Sequence, residues 1–333
     1  MILLVALVVM ALAGVAQQIA VVNGGTTTVH QTLKDAIVHA SNGSVIYLPG
    51  GGFSIGDSVK ITKRVTIVGI GHKTDSDNED GSTIIGGNLW FNNGSSGSSI
   101  MGCYLTGDVN IGEDGVVNNI IVRLCNINSV QVKNSGITGT MLNQNYVRGG
   151  SSFEMSEVSI TNNVIGNISN VGSGQIKNNV VCGGNYYNYG YGPGNPRYTF
   201  SNVNYTIISS NIFCHSTGGP NYILSGTGCQ SNNNYVEAGS RGNSWGDNPI
   251  IIDKGIDEVL VNVNGWSVSP KSSFHFKDEY QQYEHQVGIY SGTGFSDGAL
   301  PPVPYIVAKR IADQTDAAGR LRVQIRVNAG PTN

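Results

Sequence analysis

Between residues 100 and 236 a short pattern of apolar and polar positions recurs along the chain. Each copy has an apolar residue, two further residues, a small polar residue, one residue and a second apolar residue. The copies are Ile100-Cys103-Leu105, Val122-Cys125-Ile127, Leu142-Asn145-Val147, Ile160-Asn163-Ile165, Ile176-Asn179-Val181, Ile208-Asn211-Phe213 and, more weakly, Ser231-Asn234-Val236. The central positions are 22, 20, 18, 16, 32 and 23 residues apart. This self-similarity is typical of a solenoid, whose single repeats cannot bury their apolar face alone.

Stacking of the repeats explains the residue types. If each repeat forms one coil, equivalent positions lie about 4.8 Å apart. The Ile, Leu and Val positions then form internal columns, and each central Asn amide donates to the next coil and accepts from the previous one. Cys103 and Cys125 fit the same column, because a thiol is small and tolerates burial. The pattern therefore predicts an all-β, single-stranded parallel β-helix. An Asn-rich β-sandwich with chance spacing is the alternative.

The segment before the repeats predicts a cap. Thr32–Ala40 has the best helical pattern in the chain, with Leu33, Ala36, Ile37 and Ala40 on one face. A helix here covers the open end of the stack, which otherwise exposes backbone donors and acceptors. The strand Val45–Leu48 and two short strands within Val59–Val68 supply the first coils.

The end of the chain predicts a different arrangement. Pro249–Val263 reads as two further apolar strands. Tyr305–Ile311 and Leu321–Val327 predict a hairpin-like pair. We therefore divide the chain into a signal peptide at 1–16, a capped β-helix at 20–300 and a short C-terminal β-rich tail at 301–333.

Met1–Ala16 is apolar and ends in small residues. A run of about 14 apolar residues is short for a membrane span but suits a secretory signal, although no Lys or Arg precedes it. A buried N-terminal strand is the alternative. We expect the protein to be secreted or at the cell surface, in the periplasm or outside the outer membrane.

Composition agrees with this view and excludes some partners. Charged residues are 12% of the chain, against about 25% in ordinary globular proteins. The net charge of −3 gives no electrostatic reason to expect nucleic acid or an anionic membrane as partner. The histidines are scattered and no metal cluster or cofactor motif is evident, so we expect neither a metal nor a cofactor.

Three segments carry a family resemblance. The predicted cap, the phrase Val65–Gly71 (VTIVGIG) and the NNV- and SNI-type coils resemble pectate-lyase-like right-handed parallel β-helix proteins. Val287–Ile306 resembles the closing segment of secreted β-helix proteins of unknown function from Bacteroidetes. The resemblance implies a right-handed coil. It implies no particular activity, since this superfamily contains lyases, hydrolases, epimerases, adhesins and inert surface proteins.

Candidate catalytic groups are weak. A pectate-type lyase needs clustered carboxylates for calcium and a basic residue for proton abstraction, and a hydrolase needs paired carboxylates. No register position carries two carboxylates in neighbouring repeats. The best acid–base patch combines Arg148, Glu154, Glu157 and Lys177, for which ordinary solvated surface charge is the alternative.

The insertion Gly183–Pro196 (GGNYYNYGYGPGNP) is a stronger functional candidate. It carries Tyr186, Tyr187, Tyr189 and Tyr191, and Arg197 follows it. Tyrosines suit sugar stacking or protein contact, and loops on one face of a repeat protein commonly form its binding surface. Packing of these rings onto neighbouring strands is the alternative.

Cys182 and Cys214 share one register position on either side of this insertion. A disulfide there is one interpretation, and two packed thiols are the other.

The sequence leaves three functions open. The first is a non-catalytic secreted or surface protein that binds a polysaccharide or a cell-surface protein through the tyrosine segment. The second is a polysaccharide lyase or glycoside hydrolase with a non-standard site. The third is a structural subunit that self-assembles at a sheet edge.

Overall fold

A computed structural model describes residues 18–72, 81–182, 200–214, 226–237, 250–252, 254, 256–261, 263, 273–296, 305–315 and 318–328. The predicted signal peptide at 1–16 lies outside this part of the chain. The described residues form one hydrogen-bonded network of 24 strands, with many parallel pairs, and a separate two-stranded hairpin. The all-β class predicted from the sequence is confirmed.

The strands are short and follow one another closely. In chain order they are Ile19–Asn23, Thr26–His30, Ser44–Tyr47, Gly51–Ile61, Val65–Val68, Thr83–Phe91, Ser99–Met101, Tyr104–Leu105, Val109–Ile111, Ile121–Arg123, Asn126–Ile127, Val130–Val132, Thr140–Asn143, Tyr146–Val147, Ser151–Thr161, Val164–Ile165, Ile168–Lys177, Val180–Cys182, Phe200–Val203, Thr206–Ser209, Ile212–Cys214, Gln230–Asn232, Tyr235–Glu237, Ile250–Ile252, Tyr305–Thr315 and Leu321–Asn328. The helices are Leu33–His39, Ile256–Val259 and a 3-10 turn at Asp278–Tyr283.

The parallel strands pair in three series. From Ser44 to Cys214, successive repeats contribute strands to the first, second and third series in the same order. The first series aligns Ile46, Ile67, Ile100, Val122, Leu142, Ile160, Ile176, Ile208 and Ser231. The second series aligns Ile127, Val147, Ile165, Val181, Phe213, Val236 and Ile251. The third series aligns Ile61, Phe91, Ile111 and Val132. It continues one residue earlier in the same register, where Gln131 pairs with Ser152, Ser152 with Ser169, and Ser169 with Ser201. The repeat register predicted from the sequence is confirmed.

A column of buried amides lies at the corner between the first and second series. Asn145, Asn163, Asn179, Asn211 and Asn234 are all fully buried. The side-chain oxygen of each asparagine accepts a hydrogen bond from the backbone N–H of the preceding asparagine in the column. Asn163 Oδ1, for example, lies 2.8 Å from the backbone nitrogen of Asn145. Each side-chain Nδ2 also donates to a backbone carbonyl, as Asn163 does to Leu142 at 3.0 Å. The predicted asparagine column is confirmed.

Each member of this column follows a residue in the left-handed region of backbone space. These residues are Gln144, Asn162, Asn178, Ser210 and Asn233, and Leu124 has the same conformation before Cys125, with φ between 48° and 57° in all six. Left-handed backbone turns the chain sharply from the first series into the second. Asn tolerates this conformation better than most non-glycine residues, which accounts for the Asn-Asn pairs in the repeats.

The N-terminal end has the predicted helix and an unpredicted hairpin. Leu33–His39 is helical, and the Thr32 hydroxyl accepts from the Asp35 N–H at 3.1 Å as its N-cap. Lys63 Nζ donates to the carbonyls of Val38 and Ala40, each at 2.7 Å, at the C-terminal end. The strands Ile19–Asn23 and Thr26–His30 pair antiparallel, and the first of them pairs with Ser44–Tyr47. The hairpin therefore continues the sheet beyond its first parallel strand.

The region Pro249–Val263 differs from its prediction. Ile250–Ile252 forms a strand, but Ile256–Val259 is a one-turn helix, so the prediction of two strands is wrong. Ile256, Val259 and Leu260 are buried at helical spacing and pack against the outward side chains of the second series, including Tyr235. Helical spacing over so few residues is too short to be distinguished from a strand in the sequence.

The closing segment runs along the outside of the second series. Asn162 Nδ2 donates to the carbonyls of Ile289 at 2.8 Å and Ser291 at 2.7 Å, and Thr293 Oγ1 donates to Asn162 Oδ1 at 3.1 Å. Val287 and Ile289 are buried there. Further on, Tyr305–Thr315 and Leu321–Asn328 form an antiparallel hairpin, which confirms the predicted pair.

The amide column predicts a large effect of Asn163→Ala. The substitution leaves the buried backbone N–H and one of the two Nδ2 hydrogens of Asn145 without an acceptor, while the other Nδ2 hydrogen keeps the Val122 carbonyl. Each unpaired donor costs about 1–3 kcal/mol. We expect the free energy of unfolding in urea to fall by about 2–6 kcal/mol. The control is Asn232→Ala, at an exposed strand position, where we expect a change within about 0.5 kcal/mol. Equal effects of the two variants would contradict the role of the column.

The closing segment is predicted to depend on Asn162. Asn162→Gly keeps the left-handed backbone at φ 54° but removes three hydrogen bonds to residues 289–293. We expect faster amide exchange across residues 286–293, measured by hydrogen–deuterium exchange. Asn170→Gly, at φ 56° and bonded to Ser152 rather than to the closing segment, is the matched control and should leave this exchange unchanged. Unaltered exchange in Asn162→Gly would refute the prediction.

Candidate functional site

The four residues of the predicted acid–base patch are spread over three corners of the repeat, and only Glu154 and Glu157 share a corner. Arg148 directly follows the second-series strand Tyr146–Val147. Glu154 and Glu157 are exposed and lie where the long strand Ser151–Thr161 turns from the third series into the first. Lys177 ends the first-series part of its own strand and pairs with Thr161. The structure does not bring these four side chains together.

The separation along the strand is too large for contact between Glu157 and Lys177. Thr161 is the neighbour of Lys177, and Glu157 precedes Thr161 by four residues. At about 3.3 Å per residue, the two backbones are roughly 13 Å apart along the strand direction. None of the ion pairs found among the described residues involves either of them.

Arg148 has partners of another kind. Its guanidinium donates to the carbonyls of Leu105 at 2.7 Å and Thr106 at 3.3 Å and to Asn126 Oδ1. It also lies over the Tyr104 ring, 4.7 Å from the centroid. These contacts reach across neighbouring repeats at the second-series corner. They describe a structural arginine that joins the repeats rather than a free proton acceptor.

The tyrosine segment, with Tyr186, Tyr187, Tyr189, Tyr191 and Arg197, lies outside the described residues. Its two ends are described: it leaves the second series after Cys182 and returns to the third series at Phe200. Two other segments outside the description, 215–225 and 238–249, also follow second-series strands, Ile212–Cys214 and Tyr235–Glu237.

The three second-series strands that precede these segments are direct neighbours. Val180 pairs with Ile212, and Ile212 pairs with Tyr235. Neighbouring strands are about 4.8 Å apart. The three segments therefore begin at the same corner of three successive repeats, at the ends of neighbouring second-series strands.

Cys182 and Cys214 are paired in register across adjacent parallel strands. The shared register position expected from the sequence is confirmed. The Cys214 side chain lies outside the description, so the disulfide stays a prediction. Peptide mass mapping with and without reductant decides between a disulfide and two thiols.

Cys103 and Cys125 continue the amide column as thiols. Both are fully buried and free, and the Cys125 N–H donates to Asn145 Oδ1 at 3.0 Å. Burial raises the pKa of Cys125 to about 12. Burial, with the neighbouring Cys125, raises the pKa of Cys103 well above its ordinary value. Both thiols are therefore structural and have low reactivity toward alkylating and oxidising agents.

Two clusters of titratable groups were not predicted from the sequence. In the closing region His275 Nδ1 contacts Glu284 Oε1, the other Glu284 oxygen accepts from the Phe276 N–H at 2.8 Å, and the His275 ring stacks on Tyr290. Glu284 is buried, so this carboxylate fixes the loop around it.

The second cluster lies at the N-terminal cap. His30 and His39 both contact the Asp35 carboxylate, at 2.7 and 2.9 Å. The hydrogen bond with His30 is the main reason that the pKa of Asp35 is lowered. Asp35 and His39 are four residues apart on one helix, which is a signal the sequence contains. The approach of His30 follows only from the hairpin, which was not predicted.

Comparison of the chain with known protein families, with curated proteins and with solved structures found no match. Among the described residues, no helix is both long and apolar enough to cross a membrane.

The buried thiols predict selective resistance to alkylation. With its pKa at about 12, Cys125 is thiolate in about one molecule in ten thousand at pH 8. We expect iodoacetamide to leave Cys103 and Cys125 unmodified in the native protein and to modify both after unfolding in urea, as read by peptide mass spectrometry. Cys229, which is only partly buried, is the internal comparison. Native labelling of Cys125 as fast as that of Cys229 would show that the column is open.

Proposed function

We propose that the chain is an exported right-handed parallel β-helix, of the pectate-lyase-like kind, that binds a glycan or a protein partner without catalysing a reaction. The binding surface in this proposal is the tyrosine segment, through Tyr186, Tyr187, Tyr189 and Tyr191, with Arg197 beside it. The main observation behind this proposal is that three long segments all begin at the ends of adjacent second-series strands.

Support for the β-helix comes from the order of the strands. From Ser44 to Cys214 the repeats contribute strands to the first, second and third series in turn, and the strands of each series pair in parallel with those of the next repeat. A single chain that follows this order describes a coil. Parallel crossovers are right-handed in about 98% of cases, because strand twist favours that hand.

Support for binding comes from composition and position together. Besides the four tyrosines of the first segment, Tyr222 and Trp245 occur in the other two, among Gly, Asn and Ser. Binding loops of recognition proteins have this composition, since flat aromatic rings supply contact area and small polar residues supply adaptable hydrogen bonds. Segments that begin on one side of a repeat protein commonly form a shared binding face.

The placement of the charged residues supports a non-catalytic role. General acid–base chemistry needs a donor and an acceptor within hydrogen-bond reach of one substrate position. Arg148 is engaged with backbone carbonyls, and Glu157 and Lys177 lie far apart along their strands. The lyase or hydrolase alternative therefore gains no support from these residues.

A glycan array tests the proposal with three forms of the protein. We expect the wild type to bind a defined class of glycans and Tyr186→Ala/Tyr189→Ala to bind at least about tenfold more weakly, because two stacking surfaces are lost. Tyr47→Ala removes an exposed tyrosine at the other end of the stack and is the matched control. A surface-protein partner is tested with the same variants by crosslinking on cells.

Two results would contradict the proposal. One is unchanged binding by the double variant on every ligand that the wild type binds. The other is release of reducing sugar or unsaturated product by the wild type that Glu157→Gln abolishes, which would establish an enzyme.

A further inference from the structure

Three metal-ligating side chains converge at the N-terminal cap. His30 ends the second hairpin strand, and Asp35 and His39 lie one turn apart on the following helix. The closest ligand atoms of the three residues all lie within 4.8 Å of one another. The two imidazoles use the same nitrogen: Nδ1 of His30 faces Asp35 Oδ2, and Nδ1 of His39 faces Asp35 Oδ1. The two histidines and the carboxylate thus converge on one place. His39 Nδ1 also lies 3.0 Å from the backbone carbonyl oxygen of Asp35, a contact that needs a proton on this nitrogen and that metal ligation would replace.

The far side of His30 is held by a hydroxyl. Thr28 Oγ1 lies 3.0 Å from His30 Nε2. When Nε2–H donates to this hydroxyl, the lone pair of Nδ1 points at the carboxylate. Ligating histidines in metalloproteins are commonly fixed in this manner, with the second ring N–H donated to a neighbouring acceptor. Thr28 is therefore placed to orient His30 as a ligand.

That tautomer requires a cation. An Nδ1 lone pair and a carboxylate oxygen 2.7 Å apart repel each other, and either a proton or a metal ion between them removes the repulsion. Each imidazole can hold its own proton on Nδ1 and donate it to one of the two carboxylate oxygens, so a metal ion takes the place of two protons. A divalent ion coordinates both imidazoles and the carboxylate together, which is the pairing that this geometry offers.

Burial and spacing suit an ion that enters from solvent. The His30 side chain is 10% exposed, whereas Asp35 and His39 are 47% and 62% exposed. Bonds of about 2.0–2.2 Å in a tetrahedral zinc site separate ligand atoms by roughly 3.3 Å. The present separations of 2.7 and 2.9 Å need to open by about half an ångström. The two exposed side chains are free to make that adjustment.

We propose that His30, Asp35 and His39 bind one divalent transition-metal ion of the zinc type. Two imidazole nitrogens and one carboxylate suit Zn²⁺, Co²⁺, Ni²⁺ and Cu²⁺ and do not suit Ca²⁺, which takes oxygen ligands. A fourth position is left for water or for a group from another molecule. The ion links the hairpin to the helix and so fastens the cap to the end of the stack.

The first experiment measures zinc affinity in the full chain after removal of any polyhistidine tag. We expect one Zn²⁺ per chain by competition with a chromogenic chelator, and Co²⁺ in its place should give the visible absorption of a site with nitrogen and oxygen ligands. His39→Ala and Asp35→Asn should each weaken affinity by about tenfold or more. Circular dichroism of the variants checks that they fold, which the exposure of both side chains favours.

Two further variants separate a built site from incidental histidine binding. His285→Ala removes an exposed histidine outside the cluster and should leave zinc affinity unchanged. Thr28→Val keeps all three ligands but removes the hydroxyl from His30, and it should weaken affinity by about tenfold. In ¹⁵N spectra of the imidazoles, zinc should shift Nδ1 of His30 and His39.

A stability measurement gives an independent readout. An ion that binds only the folded chain raises the unfolding temperature in proportion to the logarithm of its concentration. We expect this rise in the wild type and in His285→Ala, and its loss in His39→Ala and Asp35→Asn. Absence of stoichiometric zinc binding in the wild type would overturn the proposal. Binding by His39→Ala and Asp35→Asn equal to that of His285→Ala would overturn it as well.

Discussion

The structure depends on how the chain turns inward without leaving buried polar groups unpaired. At the corner between the first and second series, backbone N–H and carbonyl groups face the interior, where an unpaired group costs about 1–3 kcal/mol. Fully buried asparagines provide both donors and acceptors at this corner. Within the column an amide contacts the repeats on both sides of its own, as Asn163 does with Leu142 and Asn145 on one side and Asn179 on the other. The polar column therefore fixes the register of all the apolar columns around it.

Because this corner is fixed, the rest of each repeat is free to vary. The connection from the third series to the first runs from Ile111 to Ile121 in one repeat. Further along the chain the single strand Ile168–Lys177 covers the same connection without interruption. The longest additions, at 183–199, 215–225 and 238–249, follow the second series, on the far side of the amide column from the first-series strands. Additions there lie outside the column, so they can be made with little cost in stability.

The column was predictable because its chemistry repeats in the sequence. Asn145, Asn163 and Asn179 each recur with the same apolar flanks, and repetition distinguishes a signal from chance. The helix at Leu33–His39 was predictable because its apolar face repeats at helical spacing within a few residues. The left-handed residues before each column member were not predicted, because Leu124, Gln144 and Ser210 share no side-chain type.

Contacts between unlike segments also escaped prediction. The hairpin strand Thr26–His30 shows no alternation, since four of its five residues are exposed. The His30 contact with Asp35 therefore had no local signal. Arg148 was assigned to a charged patch because sequence spacing alone does not reveal at which corner of a repeat a residue lies. Its partners at Leu105 and Thr106 belong to repeats more than forty residues away.

The repeat architecture also determines how the two proposed sites relate to each other. In a stack each repeat contacts mainly its neighbours, so stability is close to a sum of local and nearest-neighbour contributions. The His30 cluster is part of the cap next to the first strands, Ser44–Tyr47 and Val65–Val68. The tyrosine segment follows Val180–Cys182, several repeats along. An ion at the cap therefore stabilises the end of the stack without reorganising the strands from which the tyrosine segment extends. Metal binding and glycan or partner binding are thus expected to be energetically independent, unless a partner itself supplies the fourth ligand to the ion.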